Sequence, residues 1–340
     1  MSEKILLPNK LTTTTKISFI HTSSPIEKQD LKTFQKVTQR IAAEYPYTKI
    51  FNIHEAKWSP TYLSGSEKER LANFRKAIQQ GQWLLPVYGG TGCEDIIRHL
   101  NDHDLMYIRK NLPIVNGFSD TTFLINYLYF KIKLLTFHYK NATGLFETDN
   151  FKLFFDIIKG KKKSMLFYEP DYYWLSEPKP KSVVEGIAIG GNISTFRDLL
   201  DICEIRPRSW EPYILFMEDI GLDMEDLHRL IIALDERGIF RHIKAVVVGT
   251  FNKEIFQDSL FDRFRWFTKN KKTEDIDNLF EYILSDVIKN RIEKNDPLHI
   301  LKVSNLGHGI NKNPLIIPIG ARTTIYPNGH IEFHGPFVNE

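Results

Sequence analysis

The feature that most limits the fold is a repeated order of strand, sharp turn and helix over the first 133 residues. Lys16-Ile-Ser-Phe-Ile-His21 has the character of a strand and runs into the turn-forming Thr22-Ser-Ser-Pro25. A helix follows, because Leu31, Phe34, Val37 and Ile41 recur on one face, and Pro46 marks its end. Glu67 to Gln80 is a second amphipathic helix, with Leu71, Phe74 and Ile78 on its apolar side. Trp83-Leu-Leu-Pro-Val-Tyr88 is a buried strand, although Pro86 argues against a central place in a sheet. Gly89-Gly-Thr-Gly92 breaks it before a helix over 94–100. Leu112 to Asn116 is a further strand, and Gly117 to Asp120 turns into a helix over 121–133. This succession predicts an α/β fold with a parallel sheet covered on both faces.

At 340 residues the chain is long enough for two domains. A lysine run (Lys159, Lys161, Lys162, Lys163) and the prolines 170, 178 and 180 mark 159–182 as an interdomain linker; the run is expected to be a solvated loop. The division is therefore 1–158, linker 159–182, and 183–340. In the last part, strands over 183–189, 213–218 and 244–249 alternate with helices over 193–202 and 224–237. Thr323 to Phe333 reads as two strands about Asn328-Gly329, which points to a smaller α+β domain with antiparallel strands.

Charge excludes some functions. The 45 Lys and Arg nearly balance 42 Asp and Glu, so a dedicated nucleic-acid binder is not expected. Two cysteines are too few for a disulfide framework or a Cys-based zinc site, and no run of about 18 apolar residues is present to span a membrane. No H-E-x-x-H pair is present to suggest a metal. The expectation is a cytoplasmic protein with no metal, no cofactor and no membrane partner.

Gly117-Phe-Ser-Asp-Thr121 is the first chemical candidate. A serine in a tight strand-to-helix turn has its hydroxyl pushed out above the sheet, and the next amide, that of Asp120, lies at a helix start where an oxyanion is stabilised. Thr121 stands where the motif has its second glycine, and read alone the pentapeptide is better explained as a helix cap. Gly89-Gly-Thr-Gly92 lacks the spacing of a phosphate loop but can offer an oxyanion amide at Gly90, or be a plain tight turn. Gly190-Gly-Asn192 leaves the same two readings open. A serine nucleophile needs a base and an acid to orient it. His308, between Gly307 and Gly309, and Glu218 or Asp219, at the end of an apolar strand, meet those demands, though an acid there also serves as a helix cap.

The order of these motifs resembles one family, the LD-carboxypeptidases of the serine peptidase class, which includes muramoyltetrapeptide carboxypeptidases and microcin C immunity peptidases. The resemblance is carried by Tyr62-Leu-Ser-Gly-Ser-Glu-Lys-Glu-Arg70, Gly89-Gly-Thr-Gly92, Gly117-Phe-Ser-Asp-Thr-Thr122, Gly190-Gly-Asn192, Leu215-Phe-Met-Glu-Asp219, Gly249-Thr-Phe251, Gly307-His-Gly309 and Pro318-Ile-Gly320. It implies Ser119 as nucleophile, His308 as general base, Glu218 as orienting acid, and the amides of Gly90 and Asp120 as oxyanion hole. Gly89, Thr91, Asn192 and Trp174 are the candidate substrate contacts, Trp174 as a stacking partner for a nucleotide base. The family fold implied is an N-terminal domain like the class I glutamine amidotransferases with a smaller C-terminal domain, in a homodimer. Tyr88 and Thr91 depart from the family's arginine and aromatic residue, and His138-Tyr-Lys140 from its His-Gly-Pro. The implied substrate is a small peptide or peptidyl nucleotide. Murein tetrapeptide, cut before its terminal D-alanine, ranks first and a peptidyl-aminoacyl-adenylate second. One rival of another class remains, a non-catalytic binding protein in which Ser119 and His308 do not meet; an amidotransferase-like enzyme would need a cysteine nucleophile at such an elbow, and Cys93 follows the wrong turn while Cys203 ends a helix.

Overall fold

Ile17–Ile20 is apolar at three of four positions and forms strand β1, buried along its length. It is followed by helix α1 (Leu31–Glu44), β2 (Ile50–Phe51), α2 (Glu67–Gln80), β3 (Trp83–Pro86) and α3 (Cys93–Ile97). Next come α4 (Asp102–Asn111), β4 (Ile114–Gly117), α5 (Thr122–Ile132), β5 (Thr136–His138) and α6 (Phe151–Ile158). The computed structural model describes residues 4–28, 30–45, 50–51, 62–168, 171–176, 179–222, 224–251, 288–289, 298–310 and 312–339. Pro46, Pro170 and Pro178 of the sequence reading lie outside them.

The helices form for local reasons. Phe34, Val37 and Ile41 bury the predicted stripe of α1. Ser66 and Glu69 cap α2 reciprocally, the Ser66 N–H donating to Glu69 Oε2 at 2.8 Å and the Glu69 N–H to Ser66 Oγ at 3.3 Å. Asn101 and Asp104 cap α4 in the same way. That helix was absent from the sequence reading, because it buries only Asp104 and Ile108 and carries no continuous stripe.

The first sheet has the order β12-β5-β4-β3-β1-β2, where β12 (Ile317–Ile319) arrives from the far end of the chain and pairs antiparallel with β5; the other neighbours are parallel. Contrary to the reading of Pro86, β3 is an inner strand. Pro86 is its last residue and pairs with Ile20 of β1, whereas the β4 register ends at Leu84, so the missing N–H interrupts no ladder there. The chain leaves β1 for the edge strand β2 and returns on the other side as β3, so the switch point falls between β1 and β3. Open α/β sheets bind ligands at that place, beyond the carboxyl ends of the strands.

The second sheet is built from β6 (Ser164–Phe167), β7 (Tyr173–Trp174), β8 (Val184–Asn192), β9 (Tyr213–Asp219), β10 (Ala245–Phe251), β11 (His299–Lys302), β13 (Arg322–Ile325) and β14 (Ile331–His334), with helices α7 (Ile193–Ile202), α8 (Met224–Glu236) and α9 (Ile239–His242) along the way. Its order is β6-β14-β13-β8-β9-β10-β11-β7. The expected β13–β14 hairpin is present, but the centre of the sheet, β8 to β11, is parallel. Two expectations therefore change. The segment expected as linker supplies β6 and β7, one at each edge of this sheet, and the second sheet, expected in the smaller part, has eight described strands against six in the first. The result is a mixed α/β fold with parallel sheets.

The two sheets meet through α5. Asn126 of α5 accepts from the Gly190 N–H at 3.0 Å and donates to the Gly190 carbonyl at 2.9 Å. The Asn192 N–H donates to Thr122 Oγ1 at 3.2 Å. This approach dictates Gly191, where a Cβ would stand 2.5 Å from the His138 ring, while Gly190 is required inside the second sheet, where a Cβ would stand 2.1 Å from the Phe216 carbonyl oxygen.

Candidate active site

Ser119 follows β4 with φ at +60°, a left-handed conformation that costs a non-glycine residue energy and pushes the side chain out of the turn. The elbow is held by what replaces its second glycine. Thr121 Oγ1 accepts from the Phe118 N–H at 2.7 Å and donates to the Phe118 carbonyl at 2.9 Å. A Cβ on Gly117 would stand 2.6 Å from that hydroxyl, so glycine is required there. Asn141, beyond β5, clamps the same peptide by accepting from the Phe118 N–H at 3.1 Å and donating to its carbonyl at 3.1 Å.

The Gly89–Gly92 loop lies against the serine. A Cβ on Gly89 would approach Ser119 Oγ to 3.2 Å, and one on Gly90, whose φ is +100°, would collide with Ser24. Arg70, 1% exposed, ties this loop to the one after β1: its guanidinium donates to the Thr22 carbonyl at 2.5 Å, the Gly92 carbonyl at 2.6 Å and Asp95 at 2.7 Å. Arg70→Met, which deprives the Thr22 and Gly92 carbonyls of their buried donor, is expected to cost about 3 kcal/mol of stability in urea unfolding.

From the other sheet, Glu218 and His308 come together. Glu218 is fully buried near the end of β9, opposite Asn192 of β8. His308 Nδ1 stands 2.6 Å from Glu218 Oε2. The histidine loop is clasped by β10: the Thr250 N–H donates to the Leu306 carbonyl at 2.7 Å, and side chains on Gly249 or Gly307 would strike Leu306 or Thr250. Gly249-Thr-Phe251 and Gly307-His-Gly309 are thus two sides of one contact. Asp219, the other acid the sequence left open, accepts from the Ser194 N–H at 2.9 Å and so caps the start of α7.

Ser119 and His308 line one cleft of about 580 Å³ at the switch point, together with Gly89, Gly90, Tyr88 and Lys140. The Phe118 ring joins the parts, with its centroid 4.6 Å from that of His308 and 5.1 Å from that of His138. His138 is buried, and burial lowers its pKa to about 4, which keeps the ring neutral near neutral pH. Its Nε2 has no hydrogen-bond partner among the described residues.

Three predicted contacts lie elsewhere. The Asn192 side chain accepts from the Thr195 N–H at 3.1 Å and caps α7. Trp174 is buried at the far edge of the second sheet, donating to the Pro327 carbonyl at 3.0 Å. Thr91 is exposed, its N–H donating to Ser24 Oγ at 3.2 Å outside the cleft lining. The sequence reading missed Lys140, Asn141 and the role of Phe118. Cys93, the cysteine near the glycine loop, is wholly buried and its thiol pKa is pushed well up by that burial, which removes it as a nucleophile.

Asp120 supplies a pH test. Burial raises its carboxyl pKa to about 7, against the stabilising hydrogen bonds from Ser23 and the Cys93 N–H. The unfolded value is about 3.9. A raised folded value means the folded state favours the protonated acid, so the contribution to stability is full below about pH 4 and is lost as pH rises through about 7. Asp120→Asn is expected to match the wild type in melting temperature near pH 4 and to exceed it increasingly towards pH 8.

Among the described residues no group of His, Cys, Asp and Glu could hold a metal ion, and no helix is long and apolar enough to cross a membrane.

Comparison with known proteins agrees with this arrangement. Residues 17–139 match the LD-carboxypeptidase N-terminal domain and residues 185–325 the LD-carboxypeptidase C-terminal domain. A putative carboxypeptidase of Treponema pallidum is 28% identical over 239 residues, 64% of this chain and 69% of that one. The microcin C7 self-immunity protein MccF of Escherichia coli is 26% identical over 217 residues, 55% of this chain and 62% of that one. The wild-type apo structure of MccF is similar over 98% of this chain and 100% of that one, with a TM-score of 0.75 and 19% identity. The muramoyltetrapeptide carboxypeptidase from Oxalobacter formigenes is similar over 96% and 100%, with a TM-score of 0.70 and 20% identity. A serine elbow, a histidine bonded to a buried glutamate and both family domains in order along one chain lead to one conclusion: the protein belongs to the LD-carboxypeptidase family of serine peptidases.

Proposed function

We propose that the protein hydrolyses an amide bond next to a free carboxylate, with Ser119 as nucleophile, His308 as base and Glu218 as the acid that orients it. The observation that carries this reading is the 2.6 Å contact between His308 Nδ1 and the buried Glu218, made in the cleft that holds the strained serine. With Nδ1–H donated to Glu218, His308 Nε2 is the acceptor available to the serine. Ser119 Oγ attacks the carbonyl carbon as its proton passes to Nε2, and the amides of Gly90 and Asp120 receive the oxyanion. His308 returns the proton to the leaving nitrogen and the C–N bond breaks, leaving an acyl-serine. Water, deprotonated by the same histidine, then releases the acid and restores Ser119. A non-catalytic binding protein would have no use for the strain at Ser119 or for a buried carboxylate held on a histidine.

The substrate we assign first is murein tetrapeptide, cut before its terminal D-alanine. Trp174, the one aromatic the sequence offered for stacking a nucleotide base, is committed to the sheet edge. The second reading, cleavage of a peptidyl-aminoacyl-adenylate, draws support from Tyr62, which lines the cleft and is 72% exposed. Incubating the protein with each compound and following the products by mass spectrometry tests both. D-alanine release is the expected result, release of the aminoacyl nucleotide alone would favour the second reading, and no release from either would contradict the proposal.

A further inference from the structure

The cleft contains a cation that the triad does not use. Lys140 follows β5 and is only 9% exposed, yet it lines the cleft beside Ser119 and His308. Its backbone is pinned by its carbonyl, which accepts from Asn116 Nδ2 at 2.7 Å. Its stem lies over Gly144, where a Cβ would stand 3.5 Å from Lys140 Cδ. The ammonium is thereby held above the Phe118 ring, with Nζ 4.8 Å from the centroid, on the same ring that touches His308. Among the described residues Lys140 forms no ion pair. Glu218 and Glu147 act on it only through their fields, and burial outweighs them, drawing the ammonium pKa below its ordinary value.

A buried ammonium without a counter-ion is expensive to keep, and it becomes favourable when an anion arrives that satisfies it. From these contacts, and resting on the hydrolytic reading above, we infer that Lys140 is the specificity-determining residue that binds the free carboxylate of the substrate beside the scissile amide. The aromatic face of Phe118 holds the ammonium in place but cannot neutralise it, so the site selects a charged partner over a neutral one of the same shape. Lys140 thus decides that the enzyme trims a chain end and does not cut within a chain.

The test compares a tetrapeptide ending in D-alanine with its C-terminal amide, on wild type, Lys140→Met and Lys140→Gln. Wild type is expected to prefer the acid by on the order of 100-fold in kcat/KM, and both variants to lose that preference, the ratio of acid to amide falling to near one. Calorimetric binding of the same two peptides to Ser119→Ala and to Ser119→Ala/Lys140→Met reads the same preference without chemistry. Binding that prefers the acid and depends on Lys140, in the absence of any turnover, would uphold this assignment and reject the hydrolytic reading. An acid preference that survives removal of Lys140, or no preference in the wild type, would overturn it. So would Lys140-dependent binding confined to a phosphoramidate-linked aminoacyl nucleotide, which would make the recognised anion a phosphate and not a carboxylate.

Discussion

Ser119→Ala is expected to lower D-alanine release from murein tetrapeptide by on the order of 10⁶, with the protein still folded. The loss follows from geometry. The strained φ of +60° and the Gly117, Thr121 and Asn141 contacts hold the hydroxyl in the cleft, and none of them needs that hydroxyl to stay formed. Alanine keeps the same backbone preference as serine, so the elbow, the Gly90 amide and the cleft persist. The residual rate of such a variant comes from the oxyanion site and substrate positioning alone, which no longer profit from a covalent step. Near-UV circular dichroism and melting temperature should stay at their wild-type values while the rate falls.

Glu218→Gln is expected to cost about 10⁴ in kcat with a much smaller effect on KM. In the proposed mechanism the carboxylate, 2.6 Å from His308 Nδ1, accepts its hydrogen and stabilises the positive charge that the ring acquires on taking the serine proton. An amide can present its NH₂ to Nδ1 instead, which turns the ring to the opposite tautomer and leaves Nε2 carrying a hydrogen toward the serine. His138 cannot substitute, since burial holds its pKa near 4 and its ring lies behind Phe118. A split of kcat against KM over the pH range separates tautomer loss from simple loosening. The variant should lose kcat at every pH with KM near the wild-type value, whereas a loosened site would raise KM.

The parts legible in the sequence are those in which one short segment carries both the fold and the chemistry. The tight turn at Gly117-Phe-Ser was readable because an elbow is local, although read alone it fitted a helix cap as well, and Gly307-His-Gly309 stood out because a histidine flanked by glycines has nothing apolar to pack against. The choice between Glu218 and Asp219 was not legible from the strand alone. Successive strand residues point to opposite faces, and only the folded contacts show that Glu218 faces the histidine and Asp219 the start of α7. Lys140 and Asn141 escaped because they follow a strand of three residues, too short to show a period, and act through contacts with Asn116, Phe118 and Gly144 that the sequence does not place together. Asn192 and Trp174 were drawn into the candidate site for a related reason. A polar residue after two glycines and an aromatic among prolines have the composition of a binding loop, but Asn192 caps a helix and Trp174 closes a sheet edge. Gly191 proved informative in another way, since its lack of a side chain lets the second sheet approach His138 and Thr122 of the first part.

The most direct test of the central claim is covalent capture of the nucleophile. Folded protein would be treated with a small phosphonyl fluoride, digested and mapped by mass spectrometry, with D-alanine release measured on the same samples. A single adduct on Ser119, formed in step with loss of activity and absent from the His308→Ala variant, is the predicted result. Full labelling of Ser119 with undiminished hydrolysis, or inactivation with the adduct on another residue, would contradict it.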